Sequence, residues 1–124
     1  MTYGIDEMTT FAVEQSAPPG RDHVAFATDW ETTSSVRISA TGDIDATNAA
    51  RFAEYVLQRS ANCLQLVIDL RTIDFFGSAG LTALFTIAER CGRADVAWAV
   101  IPSRAVSRVL DICDPEQTLP RATG

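Results

Sequence analysis

Asp69-Leu70-Arg71-Thr72-Ile73-Asp74-Phe75-Phe76-Gly77-Ser78-Ala79-Gly80-Leu81 is the stretch on which the fold depends. Leading into it, Leu64-Gln65-Leu66-Val67-Ile68-Asp69-Leu70 is nearly continuous apolar sequence, the pattern of a strand covered on both faces, and it reads as the central strand. After it, Ser78 to Cys91 places Leu81, Leu84, Phe85, Ile87 and Ala88 at helical spacing, which predicts a helix with a broad buried face ended by Gly92. Between the two, a strand ends at Asp69-Leu70, an apolar loop crosses over, and a small-residue turn launches the helix. Free N–H groups and the positive end of the helix dipole then gather at Ser78. A negative group attached there is accommodated with little change in fold, so a phosphoserine suits the position.

Working outward, the segments His23 to Trp30 and Val36 to Ser39 are short and β-branched or aromatic, and the polar stretch from Glu31 to Ser35 between them predicts a hairpin. Gly42-Asp43-Ile44-Asp45 breaks the strand pattern. Ala49, Phe52, Ala53, Val56 and Leu57 follow at helical spacing to about Arg59, with Asp45 or Thr47 as N-cap. On the other side, Val96 to Ile101 reads as a buried strand. Pro102 starts a third helix, Ser103 to about Ile112, with Val106, Val109 and Leu110 on one side and Asp114-Pro115 closing it. The order is β-β-α-β-α-β-α, an α/β single domain whose mixed central sheet has an antiparallel hairpin at one edge and parallel strands after it. Residues 1–22, broken by Pro18-Pro19-Gly20, read as a flexible N-terminal arm, residues 23–115 as the domain, and residues 116–124 as a short tail or edge strand.

A chain of 124 residues that is 47% hydrophobic closes one core without staples. It has no apolar run of about 18 residues and no signal-peptide pattern, which predicts a cytoplasmic protein away from the membrane. The net charge is −6, and the ten basic residues are scattered arginines, so a phosphate backbone is repelled more than attracted and nucleic acid is not an expected partner. Cys63, Cys91 and Cys113 stand far apart with no CxxC pair. No metal and no cofactor is expected, and buried reduced thiols are the plain reading. In the proposed topology all three fall toward the sheet end opposite Ser78, so a reversible bridge among them would form a redox input.

The turn Gly42-Asp43-Ile44-Asp45, the strand end Asp69-Leu70, the run Phe75-Phe76-Gly77-Ser78-Ala79-Gly80-Leu81, and Pro102 with Val106, Val109 and Leu110 occur in an order that resembles the STAS domain family, in particular the bacterial anti-anti-sigma factors. The resemblance covers roughly Val24 to Pro115. It implies a compact α/β domain that binds an anti-sigma factor with a kinase-type ATP-binding fold and so releases a sigma factor. It also implies that the anti-sigma factor phosphorylates the serine aligned with Ser78, which breaks the complex. The partner surface would be Asp43, Asp45, Thr47, Phe76, Gly77, Ser78, Ala79, Gly80 and Leu81, with Phe76 and Leu81 supplying apolar contact. The sequence departs from the family at two positions: Gly77 stands where the family has an acidic residue, and Ala79 where it has a second serine.

Other readings compete for the same residues. Ser78 also reads as a plain N-cap, and Asp43 and Asp45 as turn and capping residues. A hydrolase nucleophile elbow is disfavoured, since Phe76 stands where that motif has glycine and His23, the only histidine, lies near the arm; no enzyme activity is expected. Two further functional readings remain. One is an interaction subunit of another signalling assembly, redox-regulated through its cysteines; the other is a small-molecule or nucleotide sensor using the same helix start. An acidic chain with this turn is compatible with monomer or dimer.

Overall fold

The computed structural model describes residues 24–123; the expected N-terminal arm and His23 lie outside the described residues. Seven elements follow one another: β1 Val24–Trp30, β2 Ser35–Ile44, α1 Ala49–Arg59, β3 Gln65–Phe76, α2 Ser78–Ala94, β4 Ala97–Pro102 and α3 Arg104–Cys113. The sheet order is β1-β2-β3-β4. β1 runs antiparallel to β2, from Val24 opposite Gly42 to Trp30 opposite Val36, and β3 is parallel to both β2 and β4. This is the element order and mixed sheet that the sequence predicts.

Two expectations about the strands are corrected. β2 does not stop at the Gly42 break, and β3 does not end at Leu70; both continue until Ile44 lies beside Phe76. The pairing jumps from Ser39 opposite Asp69 to Thr41 opposite Thr72, and from Gly42 opposite Ile73 to Asp43 opposite Phe75. β3 thus carries an extra residue at each of two bulges, and the expected crossover loop is bulged strand. Gly42 has φ 112°, a conformation that a side chain would strain, and so lets β2 pass through the irregularity.

β3 is also not covered on both faces. Leu66, Ile68 and Leu70 are buried with Val36, Ile38 and Ala40 of β2, whereas Val67 and Arg37 on the alternate face are half-buried and Leu64 is 64% exposed. Asp69 accounts for the misreading. It sits on the more open face yet is only 9% exposed, because Arg37 Nη1 donates to it at 3.0 Å, Arg71 Nε at 3.0 Å and Arg71 Nη2 at 2.8 Å. The Arg71 hydrogen bond is the main cause holding the Asp69 carboxyl below its usual range; partial burial opposes it and Arg37 adds to it. A depressed folded-state value means stability that is present above the unfolded carboxylate value of about 3.9 and lost as pH falls through the folded one. Urea unfolding of wild type and Asp69→Asn should therefore show a stability gap at neutral pH that closes below about pH 4. A gap that persists unchanged at pH 2 contradicts this role.

The helix ends differ from expectation in detail. α2 runs through Gly92 to Ala94 and is stopped by Asp95, which adopts the left-handed conformation at φ 57° and points its N–H at the Cys91 and Gly92 carbonyls. Asp tolerates this geometry better than most residues with a Cβ. α3 begins one residue later than expected: Pro102 closes β4, and Ser103 is the N-cap, its hydroxyl accepting from the Val106 N–H at 3.2 Å. The N-cap position of α1 is held by neither Asp45 nor Thr47 but by Asn48, whose side chain bonds back into the preceding turn and not to the helix. Beyond α3, Asp114 accepts from the Thr118 and Leu119 N–H groups at 3.0 and 2.9 Å, which turns the chain back. The Val100 N–H then donates to the Pro120 carbonyl and the Ala122 N–H to the Val100 carbonyl, so the tail lies along β4. No helix among the described residues is long and apolar enough to cross a membrane.

Candidate partner-binding site

The two bulges deliver the end of β3 to the end of β2 and leave one residue, Gly77, before α2 begins. Gly77 is extended (φ −88°, ψ 178°), donates its N–H to the Ile44 carbonyl at 2.9 Å, and returns its own carbonyl to the N–H groups of Gly80 and Leu81 at 3.0 and 3.3 Å. Gly77, and not Ser78, is therefore the N-cap, which removes the plain capping reading of the serine. Ser78 is the first helical residue, exposed, with its carbonyl accepting from Thr82 Oγ1 at 3.3 Å. The first turn of α2 contains no acidic residue, and its leading N–H groups have no intrahelical acceptor, so the positive end of the helix is left open around Ser78.

The Asp43 to Thr47 turn is set beside this helix start by the pairing of Asp43 with Phe75 and of Ile44 with Phe76. Asp45 Oδ1 accepts from the Thr47 N–H at 2.9 Å and from Thr47 Oγ1 at 2.5 Å, an aspartate turn. Asn48, 2% exposed, locks it from beneath. Its Oδ1 accepts from the Asp45 N–H and its Nδ2 donates to the Asp43 carbonyl, both at 3.0 Å. The sequence reading missed Asn48. Its signal was available, since asparagine is favoured both in turns and at N-caps.

The expected surface residues separate into two groups. Ser78 and Thr47 are exposed, and Asp43, Asp45, Gly77, Ala79 and Leu81 are half-exposed, so these line one end of the molecule. Phe76 and Gly80 do not: Phe76 is 4% exposed, and a Cβ on Gly80 would lie 2.6 Å from Phe76 Cε1. The exposed aromatic at this end is not Phe76 but Phe75, which is 53% exposed and whose ring stands 3.3 Å from where a Cβ on Gly77 would be. A large aromatic held open beside a polar helix start is the kind of residue that anchors a partner.

The cysteines stand apart from this site. Cys63 and Cys91 are buried and Cys113 is exposed, all as free thiols. Burial is the main cause raising the Cys91 thiol to about 11, with Cys63 nearby adding to it, and burial raises Cys63 as well. Such thiols form little thiolate at neutral pH, which slows disulfide exchange.

Comparison with known proteins agrees with this fold. The STAS domain model matches residues 29–120. The chain belongs to the STAS domain family. It is 34% identical over 91 residues to the anti-sigma-F factor antagonist RsfA of Mycobacterium tuberculosis, covering 70% of this chain and 71% of that protein. It is 35% identical over 69 residues to the osmosensory protein A of the same species, covering 56% of this chain and only 44% of that one, so it spans less than half of that relative's length. Among solved structures, an anti-sigma factor antagonist from Mycobacterium paratuberculosis shares the fold with a TM-score of 0.72 at 23% identity, over 82% of this chain and 86% of that one.

Proposed function

We propose that this STAS protein is a cytoplasmic anti-sigma factor antagonist without enzyme activity, which binds a kinase-type, ATP-binding anti-sigma factor through the α2 start and the Asp43 to Thr47 turn and thereby frees a sigma factor. The observation that carries the reading is the exposed Ser78 hydroxyl at the N-terminus of α2, which no side chain caps, flanked by the exposed Phe75 ring and the fixed acidic turn. The antagonist role of the 34% identical relative supports it.

Ser78 is the phosphoacceptor in this reading. The helix start tolerates a phosphate within the free domain, so phosphorylation leaves the fold intact. The interface is a different environment. A group carrying nearly two negative charges, closed against a partner beside Asp43 and Asp45, loses its water and meets like charge, and this breaks the complex.

The test is intact mass and binding of wild type, Ser78→Ala and Ser78→Glu after incubation with ATP-binding anti-sigma factors and Mg-ATP. Wild type should gain one phosphate and Ser78→Ala none. Ser78→Glu should lose about 100-fold in affinity, or roughly 2.7 kcal/mol. Wild-type affinity in Ser78→Glu removes the switch, and no binding by wild type to any such partner removes the antagonist role.

A further inference from the structure

A second charged feature lies on the same molecule and has no part in the reading above. Arg71 from β3 and Arg104 and Arg108 from α3 line one open cleft of about 360 Å³, together with Ile73, Asp74 and Ser103. Arg104 and Arg108 are four residues apart and so share one face of α3. Arg71 is fixed from behind by its two hydrogen bonds to Asp69 while its side chain remains 49% exposed.

This arrangement is unfavourable by itself. Like charges at i and i+4 repel, and cations at a helix N-terminus oppose the dipole. Arg104 is the first residue of α3, whose first turn contains no acidic residue, and neither Arg104 nor Arg108 forms an ion pair among the described residues. Asp74 is the one carboxylate lining the cleft, and Asp69 behind it already takes the Nε and Nη2 donors of Arg71, so Arg104 and Arg108 are its uncompensated guanidinium groups and Arg71 offers only its remaining N–H groups. A chain of net charge −6 thus concentrates three of its ten basic residues on one concavity. An anion relieves each of these costs at once.

We infer that this cleft binds a phosphate group, free or carried on a small organic molecule. Guanidinium forks match phosphate oxygens in pairs, as carboxylates and phosphates are matched elsewhere. The volume falls in the range of small-ligand sites and exceeds what inorganic phosphate fills.

The experiment follows amide resonances of the full chain during titration with inorganic phosphate, adenosine monophosphate, adenosine and chloride at constant ionic strength. The Arg104 and Ala105 amides should shift saturably with both phosphate compounds and with neither adenosine nor chloride. The double variant Arg104→Gln/Arg108→Gln changes two exposed side chains, so the rest of its spectrum should match wild type while affinity falls at least about tenfold. Arg93→Gln, at the far end of α2, should bind as wild type does. Affinity at least about tenfold higher for adenosine monophosphate than for inorganic phosphate identifies a phosphorylated small molecule, and equal affinity identifies free phosphate. Shifts that never saturate, that adenosine or chloride reproduces, or that survive in the double variant overturn the site. These readouts involve no anti-sigma factor, so they stand or fall separately from the antagonist reading.

Discussion

Phe76→Ala is expected to lower the unfolding free energy by about 3–5 kcal/mol, the range for emptying a buried aromatic site. Phe76 is 4% exposed and lies against Gly80 at the first turn of α2, where a Cβ would fall 2.6 and 2.9 Å from its ring and 3.0 Å from Ile44 Cγ2. Gly80→Ala should destabilise as well, by about 1–3 kcal/mol of overpacking, offset in part by the roughly 1 kcal/mol that alanine gains over glycine within a helix. The two changes should couple. With the Phe76 ring removed, Gly80→Ala has less to collide with and should become neutral or stabilising. A double-mutant cycle by urea unfolding measures this, and additive losses would mean that the ring and the glycine do not constrain each other.

Gly77→Asp restores an acidic residue at the position where the family resemblance places one. We expect it to raise phosphate incorporation at Ser78 by about tenfold or more, since a carboxylate beside the acceptor hydroxyl orients it and takes its proton. The backbone permits the change, because Gly77 is extended and within ordinary φ. A Cβ there meets the edge of the half-exposed Phe75 ring at 3.3 and 3.6 Å and the Ile44 carbonyl at 3.7 Å, an ordinary van der Waals distance, so the ring edge has to give by a few tenths of an ångström. An aspartate at this N-cap should also match or slightly exceed the stability of glycine, by up to a few tenths of a kcal/mol. Timed intact-mass measurements with a partner anti-sigma factor and Mg-ATP give the rate, and thermal unfolding gives the stability. Equal rates in wild type and Gly77→Asp would show that the acid contributes nothing here.

The element order and the place of the candidate site in it were legible because they rest on strong local signals. Helical spacing marked α1, α2 and α3, and Ser78 stood between a strand and a helix whatever the details. The segment 71–76 was not legible. Leu70, Ile73 and Phe76 are buried at intervals of three, because each bulge in β3 inserts a residue and rephases the side chains. Sequence of that kind has no period of two and reads as a loop. The same rephasing decided which phenylalanine faces outward, so Phe75 was missed as a surface residue. Asn48 escaped for a different reason. Asp45, Thr47 and Asn48 are all residue types that favour the start of a helix, and only the contacts of Asn48 with the Asp43 carbonyl and the Asp45 N–H single out the asparagine.

Parallel pairing on both sides of β3 has a consequence for how the chain reaches this state. The β1-β2 hairpin closes locally, but Val36, Leu66 and Trp98 lie side by side in the sheet although a helix separates each from the next in sequence. Two long loops must be closed before either pairing gains its contacts, which places folding in the slower range of mixed α/β domains. β3 is the strand that both closures require. Core substitutions there should therefore slow refolding, whereas changes confined to the edge strand β1 should mainly hasten unfolding.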